Sequence, residues 1–382
     1  MKKFSLKEKI RHFINQQKRS NTDWYLIGAI WLLVIFGLVM MASAGVALGW
    51  QKYQDVYWHF KHQLVYGVLP GLALFIFFYF FSYKRLERYA PWLLFVSIGL
   101  LVLVFIPGIG GDWGTSRSWI SLFGYGSLQP SEIVKLTFLI YLAAWLANKE
   151  DHHLQDANYS FIPFLIVLGI VAGLMAAEPD TGTMMILVCS SLIVYFSAGG
   201  SILHLSWMAL LSFGTLAGLL KLAPYRAIRL TTFLHPELDP RGVGYHINQA
   251  LLAVGSGGLF GRGYGHSRQK FAYLPEVVGD SIFAIIAEEL GFIITVLVVG
   301  IYIFIFLRGL KLASRIQDPF GRLLLIGILS WLTVQAFVNI GGIIGVLPMT
   351  GVPLPFISYG GTALVISLAA TGIVANISKT AK

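Results

Sequence analysis

The chain has 382 residues, of which 56% are hydrophobic and 12% charged, and its formal net charge is +10. A soluble domain carries about 25% charged residues, so this composition excludes an ordinary soluble protein. The basic excess is typical of a membrane protein that meets anionic headgroups. Nucleic acid is not an expected partner, because no basic stripe with interleaved aromatic residues and no known binding motif is present.

Residues 1–21 form a basic N-terminal segment. Apolar residues such as Leu6, Ile10 and Phe13 recur there at helical spacing among lysines and arginines. This pattern predicts an amphipathic helix on the cytoplasmic face of the membrane. A solvated tail that follows the positive-inside rule explains the same residues equally well. The segment lacks the small-residue cleavage pattern of a signal peptide.

Continuous apolar segments recur along the rest of the chain, each long enough to cross about 30 Å of hydrocarbon as a helix. Continuous rather than alternating hydrophobicity favours helices over a membrane β-barrel. We therefore predict an all-α, polytopic membrane protein in which residues 22–378 form a single domain of about ten transmembrane helices. Their approximate cores are 24–48, 63–82, 90–107, 130–148, 161–177, 182–198, 202–221, 281–307, 321–347 and 359–377.

The distribution of lysine and arginine predicts the orientation of these spans. Seven of these residues lie within residues 1–20, whereas the short loops on the opposite side contain Lys52, Lys61 and Arg117. The positive-inside rule then places both termini in the cytoplasm. The long connection between the seventh and eighth spans, residues 222–280, falls on the extracytoplasmic side.

Residues 222–280 are far longer than the other predicted loops and mix aromatic, proline, glycine and charged residues. Long loops in compact proteins are often functional. The glycine-rich stretch "GSGGLFGRGYG" at 255–265 lacks the ending of a nucleotide-binding P-loop, so its glycines are expected to permit turns and close backbone approach. Several cations of this loop could hold an anionic group such as a pyrophosphate. They are Arg226, Arg229, Arg262, Arg268 and Lys270.

Glu132 and Lys135 lie at the start of the fourth predicted span, three residues apart and therefore on one helix face. An ionisable group at bilayer depth costs about 2.5–3.5 kcal/mol on insertion scales, which makes such residues functional candidates. Two interpretations remain open. The two side chains form a local ion pair that neutralises itself, or both face an aqueous cavity.

Asp280 precedes the eighth apolar segment, where an aspartate commonly caps a helix. A carboxylate at the edge of the membrane can also act as a general base, because the helix N-terminus favours its ionised form while desolvation raises its pKa. Helical geometry places Glu288 and Glu289 on other faces than Asp280. We expect at least one of them to pair with a neighbouring helix.

Metal and nucleophile motifs are absent from the sequence. The nine histidines are scattered, Cys189 is the single cysteine, and neither zinc-ligand spacing nor a Gly-x-Ser-x-Gly elbow occurs. A carboxylate that activates a hydroxyl is the simplest chemistry for this chain. A divalent cation, Mg²⁺ or Mn²⁺, could share the work, although no ligand set is legible.

Ordered sequence blocks spread over residues 22–378 resemble the SEDS family of bacterial cell-wall proteins, which includes FtsW, RodA and SpoVE. The block that contains "SRQKFAYLPE" is more similar to the FtsW and SpoVE division branch than to the RodA branch. The blocks are "KHQ" at 61–63, "PGIG" at 107–110, "SRSWI" at 116–120, "QPSEIVK" at 129–135, "PDTGT" at 179–183, "PYRAIRLTTFLHP" at 224–236, "YHINQALLAVGSGGLFGRGYGHSRQKFAYLPE" at 245–276, "DSIFAIIAEELG" at 280–291 and "LPMTGVPLPFISYGG" at 347–361.

The resemblance implies a ten-span enzyme that polymerises lipid II, releasing undecaprenyl pyrophosphate at the outer face of the cytoplasmic membrane. It implies a class B penicillin-binding protein as partner, beside other membrane proteins of division or elongation. The essential aspartate of the family falls on Asp280, its conserved tryptophan on Trp119, and its fourth-span acid and base on Glu132 and Lys135. Asp280 is then the general base of an inverting glycosyl transfer.

Two departures from the family pattern stand out. The family reads His-Thr-Asp where this chain has Val278, Gly279 and Asp280. In "GTSRSW" the glycine lies one residue too far from the tryptophan, which weakens the assignment of a family role to Arg117.

Twelve residues are expected to contact the substrate. They are Glu132, Lys135, Trp119, Arg117, Gln129, Arg226, Arg229, Gln249, Ser256, Lys270, Glu276 and Ser358. Two alternative functions use the same features. Ionisable residues inside spans also suit a lipid II flippase, and a non-catalytic scaffold of the division machinery needs no chemistry at all.

Overall fold

A computed structural model describes most of the chain. The described residues are 22–106, 110–113, 116–121, 127–149, 154–178, 180–204, 206–208, 210–211, 214, 218, 231–240 and 242–381. The basic segment 1–21, Arg226 and Arg229 lie outside them, as does most of the seventh predicted span, 202–221.

Within the described residues, eight helices are long and apolar enough to cross a membrane, and a ninth apolar helix is shorter. The long helices are α1 Trp24–Ala44, α3 Trp58–Phe80, α4 Tyr83–Val104, α5 Pro130–Ala147, α6 Ala157–Ala177, α9 Ile282–Ala313, α10 Pro319–Ile343 and α11 Gly361–Ser378. The short one is α7 Thr181–Ser197. These nine coincide with nine of the ten predicted spans. The fold is therefore the polytopic helical membrane protein that the sequence predicts.

Between the spans, the described residues include two further helices. Helix α2, Val46–Tyr53, follows α1 directly, and helix α8, Val243–Ser256, lies inside the long loop 222–280. That loop is therefore structured where it is described. Three residues separate α6 from α7, and the Asp180 carboxylate caps α7 by accepting a hydrogen bond from the Thr183 N–H at 3.2 Å.

A small antiparallel sheet is an addition to the all-helical prediction. It occupies the predicted outer loop 108–129 and consists of β1 Gly110–Trp113, β2 Ser116–Ser121 and β3 Ser127–Leu128 in the order β1-β2-β3. Gly111 pairs with Trp119, and Ile120 pairs with Leu128. The sequences of β1 and β2, GGDW and SRSWIS, do not alternate apolar and polar residues, so the pattern does not predict strands there.

Helix α10 is the centre of the bundle. In its apolar stretch 89% of the residues are buried inside the protein, compared with 22% in α3 and in α4. It packs against α5, α7, α9 and α11. Its N-terminus is capped by the Asp318 carboxylate, which accepts from the Gly321 N–H at 2.9 Å. A helix enclosed on all sides is the natural place for polar side chains that join several elements.

Helix α9 is broken at Gly291, whose φ of 76° and ψ of −179° are not helical. The break releases backbone groups on both sides, and the loop after α8 satisfies them. The N–H groups of Arg262 and Gly263 donate to the carbonyls of Glu288 and Glu289, and the N–H of Phe292 donates to the carbonyl of Gly258. Such satisfaction is required of non-helical backbone at membrane depth.

Candidate active site

Asp280 lies half-buried at the entrance of α9. The helix begins at Ile282 and Ser281 occupies its cap position, so Asp280 stands one residue before the cap. The Oδ1 atom of its carboxylate lies 3.4 Å from the Ser281 hydroxyl.

The backbone on either side of Asp280 is held by residues from two other elements. The Asn339 amide of α10 donates to the Asp280 carbonyl at 2.8 Å. From the segment before α11, the Ser358 hydroxyl donates to the Gly279 carbonyl at 2.6 Å, and the Tyr359 N–H donates to the Val278 carbonyl at 2.7 Å. Three donors from distant parts of the chain thus fix this short segment in one position.

A small cavity opens beside Asp280. Its walls come from the C-terminal turns of α10 and from the segment after it. The lining residues are Asp280, Val338, Asn339, Gly342, Ile343, Met349, Thr350, Gly351 and Val352. A largely apolar cavity with one carboxylate is a suitable place for a general base, because low polarity strengthens electrostatic interactions within it.

The "KHQ" stretch of α3 contacts the segment before α11, the same segment whose Ser358 and Tyr359 hold the backbone next to Asp280. The Gln63 side chain donates to the Ser358 carbonyl at 3.3 Å and accepts from the Gly360 N–H at 3.1 Å. His62 contacts the Tyr359 hydroxyl at 3.0 Å. Ser358, one of the predicted substrate residues, is itself buried and hydrogen-bonded to backbone on two sides.

Glu132 and Lys135 form a buried ion pair at 2.8 Å, the first of the two predicted interpretations. The Lys135 ammonium also donates to the Gln335 side chain of α10 at 2.6 Å and lies 5.0 Å from the Trp331 ring. Gln335 in turn donates to the Pro353 carbonyl at 2.8 Å. Both charged side chains are 1% exposed.

Gln335 and Asn339 are one turn apart on α10 and connect the two polar regions. Gln335 contacts Lys135, whereas Asn339 holds the backbone of Asp280 and also donates to the Val352 carbonyl at 2.8 Å. The fourth-span ion pair and the carboxylate at α9 are thus attached to a single rigid helix.

Residues of the small sheet and of the start of α5 contact Glu178 and Asp180, which lie between α6 and α7. Gln129 and Ser131 donate to the Asp180 carboxylate at 3.3 and 2.7 Å. Trp119 lies half-buried on β2, and its neighbour Ser118 donates to the Glu178 carbonyl at 2.8 Å. The side chain of Arg117 is outside the described part of the structure.

Lys270 occupies a buried position, with 3% of its side chain exposed. Its ammonium lies 2.8 Å from the Glu289 carboxylate and donates to the Ser43 hydroxyl of α1 at 2.9 Å and to the Gly265 carbonyl at 2.8 Å. With these three partners, the ammonium is fully engaged inside the protein. Its placement is that of an internal ion pair rather than a surface that meets a substrate.

The two glutamates of α9 bind the loop that leads to Asp280. The Glu289 carboxylate accepts from the Ser43 hydroxyl of α1 at 2.8 Å, in line with the predicted interhelical contact. The Glu288 carboxylate accepts from the Ser267 hydroxyl and from the Arg268 N–H, the latter at 3.0 Å. Neither contributes to the cavity beside Asp280.

The remaining predicted residues lie on the loop itself. Gln249 and Ser256 are half-buried on α8, and Ser256 donates to the Ala253 carbonyl at 3.0 Å. Glu276 is exposed and adopts a left-handed backbone conformation with φ of 47°. Its carbonyl accepts from the N–H groups of Gly279 and Ser281, which makes the tight turn that precedes α9.

Comparison with known proteins supplies a family. Residues 23–382 match the family model described as "Cell cycle protein", which covers FtsW, RodA and SpoVE. The chain belongs to this family. Stage V sporulation protein E of Bacillus subtilis is 38% identical over 95% of this chain and 98% of the relative. The probable peptidoglycan glycosyltransferase FtsW of Trichlorobacter lovleyi is 37% identical over 93% of each chain.

Solved structures of family members have the same fold. A chain from work titled "Structural coordination of polymerization and crosslinking by a peptidoglycan synthase complex" matches with a TM-score of 0.75 and 28% identity, covering 94% of this chain and 97% of that one. The crystal structure of the rod shape determining protein RodA from Thermus thermophilus matches with a TM-score of 0.68 at the same identity. The match covers 94% of the present chain and 96% of the RodA chain.

Several residues contact Asp280 or the segments that hold it, although the sequence did not predict a role for them. They are Gln63, His246, Ser281, Gln335 and Asn339. Gln335 and Asn339 carried a signal, because two polar side chains four residues apart inside an apolar span indicate one polar helix face. His246 and Ser281 carried none, since they meet only through the fold.

Among the described residues of this family member, no three or more histidine, cysteine, aspartate or glutamate side chains gather as metal ligands.

Proposed function

We propose that this protein is a peptidoglycan glycosyltransferase that polymerises lipid II at the outer face of the bacterial cytoplasmic membrane. The observation that carries the proposal is the fixed position of Asp280 beside a small cavity at the end of a membrane helix. Family membership supports it, since relatives are named probable peptidoglycan glycosyltransferases. The predicted topology, with both termini cytoplasmic, supports an extracytoplasmic site.

In the proposed reaction the Asp280 carboxylate accepts the proton of the 4-hydroxyl of the acceptor sugar. The hydroxyl oxygen then forms a bond to the anomeric carbon of the donor glycan, with inversion. The bond between that carbon and the pyrophosphate oxygen breaks, and its electron pair leaves with the undecaprenyl pyrophosphate. The carboxylate must be ionised and correctly placed. Asn339 and Ser358 support its placement, because they donate to the backbone carbonyls of Asp280 and Gly279.

The leaving pyrophosphate requires positive charge nearby. Lys135 and Lys270, both expected to serve, are engaged in buried ion pairs. We therefore propose Arg226 and Arg229 of the long loop 222–280 for this role, because an arginine guanidinium can bind two phosphate oxygens at once. Mg²⁺ or Mn²⁺ carried by the pyrophosphate would share the charge, and EDTA treatment of the assay tests that contribution.

A class B penicillin-binding protein is the proposed partner. A solved structure from a peptidoglycan synthase complex matches 94% of this chain. Such a partner would cross-link the glycan that this protein makes, and other membrane proteins of division or elongation would recruit the pair. Co-purification with candidate partners from the same bacterium tests the assignment.

The decisive experiment measures glycan polymer from lipid II with the purified chain and its partner, comparing wild type with Asp280→Asn. Loss of a positioned general base costs about 10²- to 10⁴-fold in rate, so we expect at least a hundredfold loss of polymer. The variant should keep its melting temperature and its partner binding.

Three results would contradict the proposal. One is polymer formation by Asp280→Asn at the wild-type rate, which removes Asp280 as the base. Another is a wild-type protein that makes no polymer yet translocates labelled lipid II across vesicle membranes, which would make it a flippase. The third is a wild-type protein that does neither and only recruits its partner, which would make it a scaffold.

A further inference from the structure

Ser281 occupies the N-cap position of α9, but its side chain makes no capping hydrogen bond. Serine at this position usually accepts a hydrogen bond from a backbone N–H of the first turn, and losing that bond costs about 1 kcal/mol. The Ser281 side chain makes no such bond, although the residue is completely buried. Its hydroxyl is therefore committed to other partners.

Those partners are His246 and Asp280. The Ser281 hydroxyl oxygen lies 2.6 Å from Nε2 of His246 and 3.4 Å from Oδ1 of Asp280. The three side chains form a row that runs from α8 to the entrance of α9. The 3.4 Å separation is longer than a formed O–H···O bond of about 2.7–2.8 Å, as is common for catalytic contacts before substrate binds.

His246 is held on a rigid element. The Asp239 carboxylate accepts from the N–H groups of Gly242 and Val243, at 2.9 and 2.8 Å, and so caps the first turn of α8. Gly244 packs against the carbonyls of Pro236 and Asp239 so closely that a Cβ would clash. The imidazole therefore approaches Ser281 from a fixed helix, which is what a precise contact needs.

The protonation state of His246 determines what Ser281 can do. Burial lowers the pKa of His246 below its usual 6.5, so the ring is neutral at neutral pH and carries one N–H. If Nε2 carries that proton, it donates to the Ser281 oxygen and the hydroxyl proton is available to Asp280. If Nε2 is bare, the hydroxyl donates to the ring instead and Asp280 loses that donor.

We propose that His246 is a positioning residue for Asp280 that acts through Ser281. Its Nε2–H fixes the Ser281 hydroxyl so that the hydroxyl donates to Oδ1 of Asp280. The other oxygen, Oδ2, lies on the side of Gly351, one of the cavity residues, with 3.8 Å between Oδ2 and the position of a Cβ at Gly351. The carboxylate is thereby oriented with Oδ2 toward the cavity where the acceptor hydroxyl would bind. This inference rests on the proposed function.

The test is a kinetic double-mutant cycle with His246→Ala, Ser281→Ala and the double variant, using lipid II and the partner protein. We expect each single variant to lose roughly tenfold in kcat, the effect of one hydrogen bond of about 1.4 kcal/mol, with KM within about twofold of wild type. The double variant should be no slower than Ser281→Ala, because both substitutions break one chain of contacts.

His246→Gln provides the discriminating rescue. Its amide nitrogen lies near the position of Nε2 and keeps an N–H donor, so this variant should recover most of kcat. Asn248→Ala is the matched control, because Asn248 is exposed on the same helix. It should behave as wild type, and melting temperatures should show that all variants are folded.

The inference is overturned if the two single effects multiply in the double variant, or if His246→Gln is as slow as His246→Ala at an equal melting temperature. It is also overturned if Ser281→Ala keeps the wild-type kcat. None of these results affects the proposed function, which fails only if Asp280→Asn polymerises lipid II at the normal rate or wild type makes no polymer.

Discussion

At the scale of single residues, the four acidic side chains between Glu276 and Glu289 have different environments. Glu276 is exposed, Asp280 is half-buried, and Glu288 and Glu289 are buried. A Cβ at Gly279 would lie 3.3 Å from the end of the exposed Glu276 side chain, which can shift, so space alone does not require glycine there. Of the four, Asp280 is the one that is partly exposed beside the cavity, as the proposed base requires.

Glu178, at the end of α6, is a buried carboxyl group with neither oxygen hydrogen-bonded. Burial, and to a smaller extent the charge of Asp180, raises the pKa of Glu178 from its usual 4.5 to about 8. The folded protein therefore holds a proton there that the unfolded chain releases above pH 4.5. By linkage, this group's contribution to stability falls as the pH rises from about 4.5 to about 8.

Glu178→Gln should flatten this part of the stability profile. The amide cannot ionise, so the variant should lose less stability than wild type between pH 5 and pH 8 and should melt at a higher temperature at pH 8. Thermal unfolding in detergent across this pH range measures the difference. Parallel profiles for the two proteins would show that Glu178 does not hold the proton.

At the scale of elements, the break in α9 at Gly291 brings the loop after α8 and the helix α9 together. A Cβ at Gly291 would overlap the backbone of Phe260 and Gly261. The φ and ψ of Gly291 also lie in a region that is essentially restricted to glycine. The loop can therefore approach the helix closely enough to take up the backbone groups that the break releases.

Gly291→Ala should destabilise the protein by at least about 2 kcal/mol, because both the backbone conformation and the space exclude a side chain. Gly300→Ala is the matched control in the same helix, since nothing lies within 4 Å of a Cβ there. Melting temperatures of the two variants in detergent compare them directly. Equal melting temperatures would contradict a rigid break at Gly291.

The sequence predicted the elements better than their connections. Continuous hydrophobicity located the described spans, because membrane burial depends on the length and polarity of a segment. It could not locate the break at Gly291, since one residue with a different φ leaves the hydropathy of the segment unchanged. It also could not pair His246 with Ser281 or Gln63 with Ser358, because contacts 35 and 295 residues apart depend on how the helices pack.

At the scale of the whole molecule, Lys270 joins three distant parts of the chain. It binds Ser43 of α1 and Glu289 of α9 from its place in the loop before Asp280. The loop is therefore attached to the bundle by an internal charge pair as well as by the backbone contacts at Gly291. The position of this loop relative to α1 and α9 therefore depends in part on this pair.

Lys270→Met should destabilise the protein by about 3–5 kcal/mol, because it leaves the Glu289 carboxylate buried without its partner charge. Adding Glu289→Gln should recover part of the loss, since the second substitution removes that charge. Lys61→Met is the control, because its pair with Asp55 is 63% exposed on the lysine side and is worth less than about 1 kcal/mol. Similar melting temperatures for Lys270→Met and Lys61→Met would show that the pair of Lys270 and Glu289 does not stabilise the protein as expected.

The donors that hold the Asp280 segment also set when the site can form during biosynthesis. Asn339 follows Asp280 by 59 residues, and Ser358 follows Gly279 by 79. The ribosome therefore delivers the carboxylate to the membrane well before the groups that orient it. A nascent or C-terminally truncated chain therefore carries Asp280 without the donors that hold its backbone, and the candidate site forms only once the last helices have been inserted.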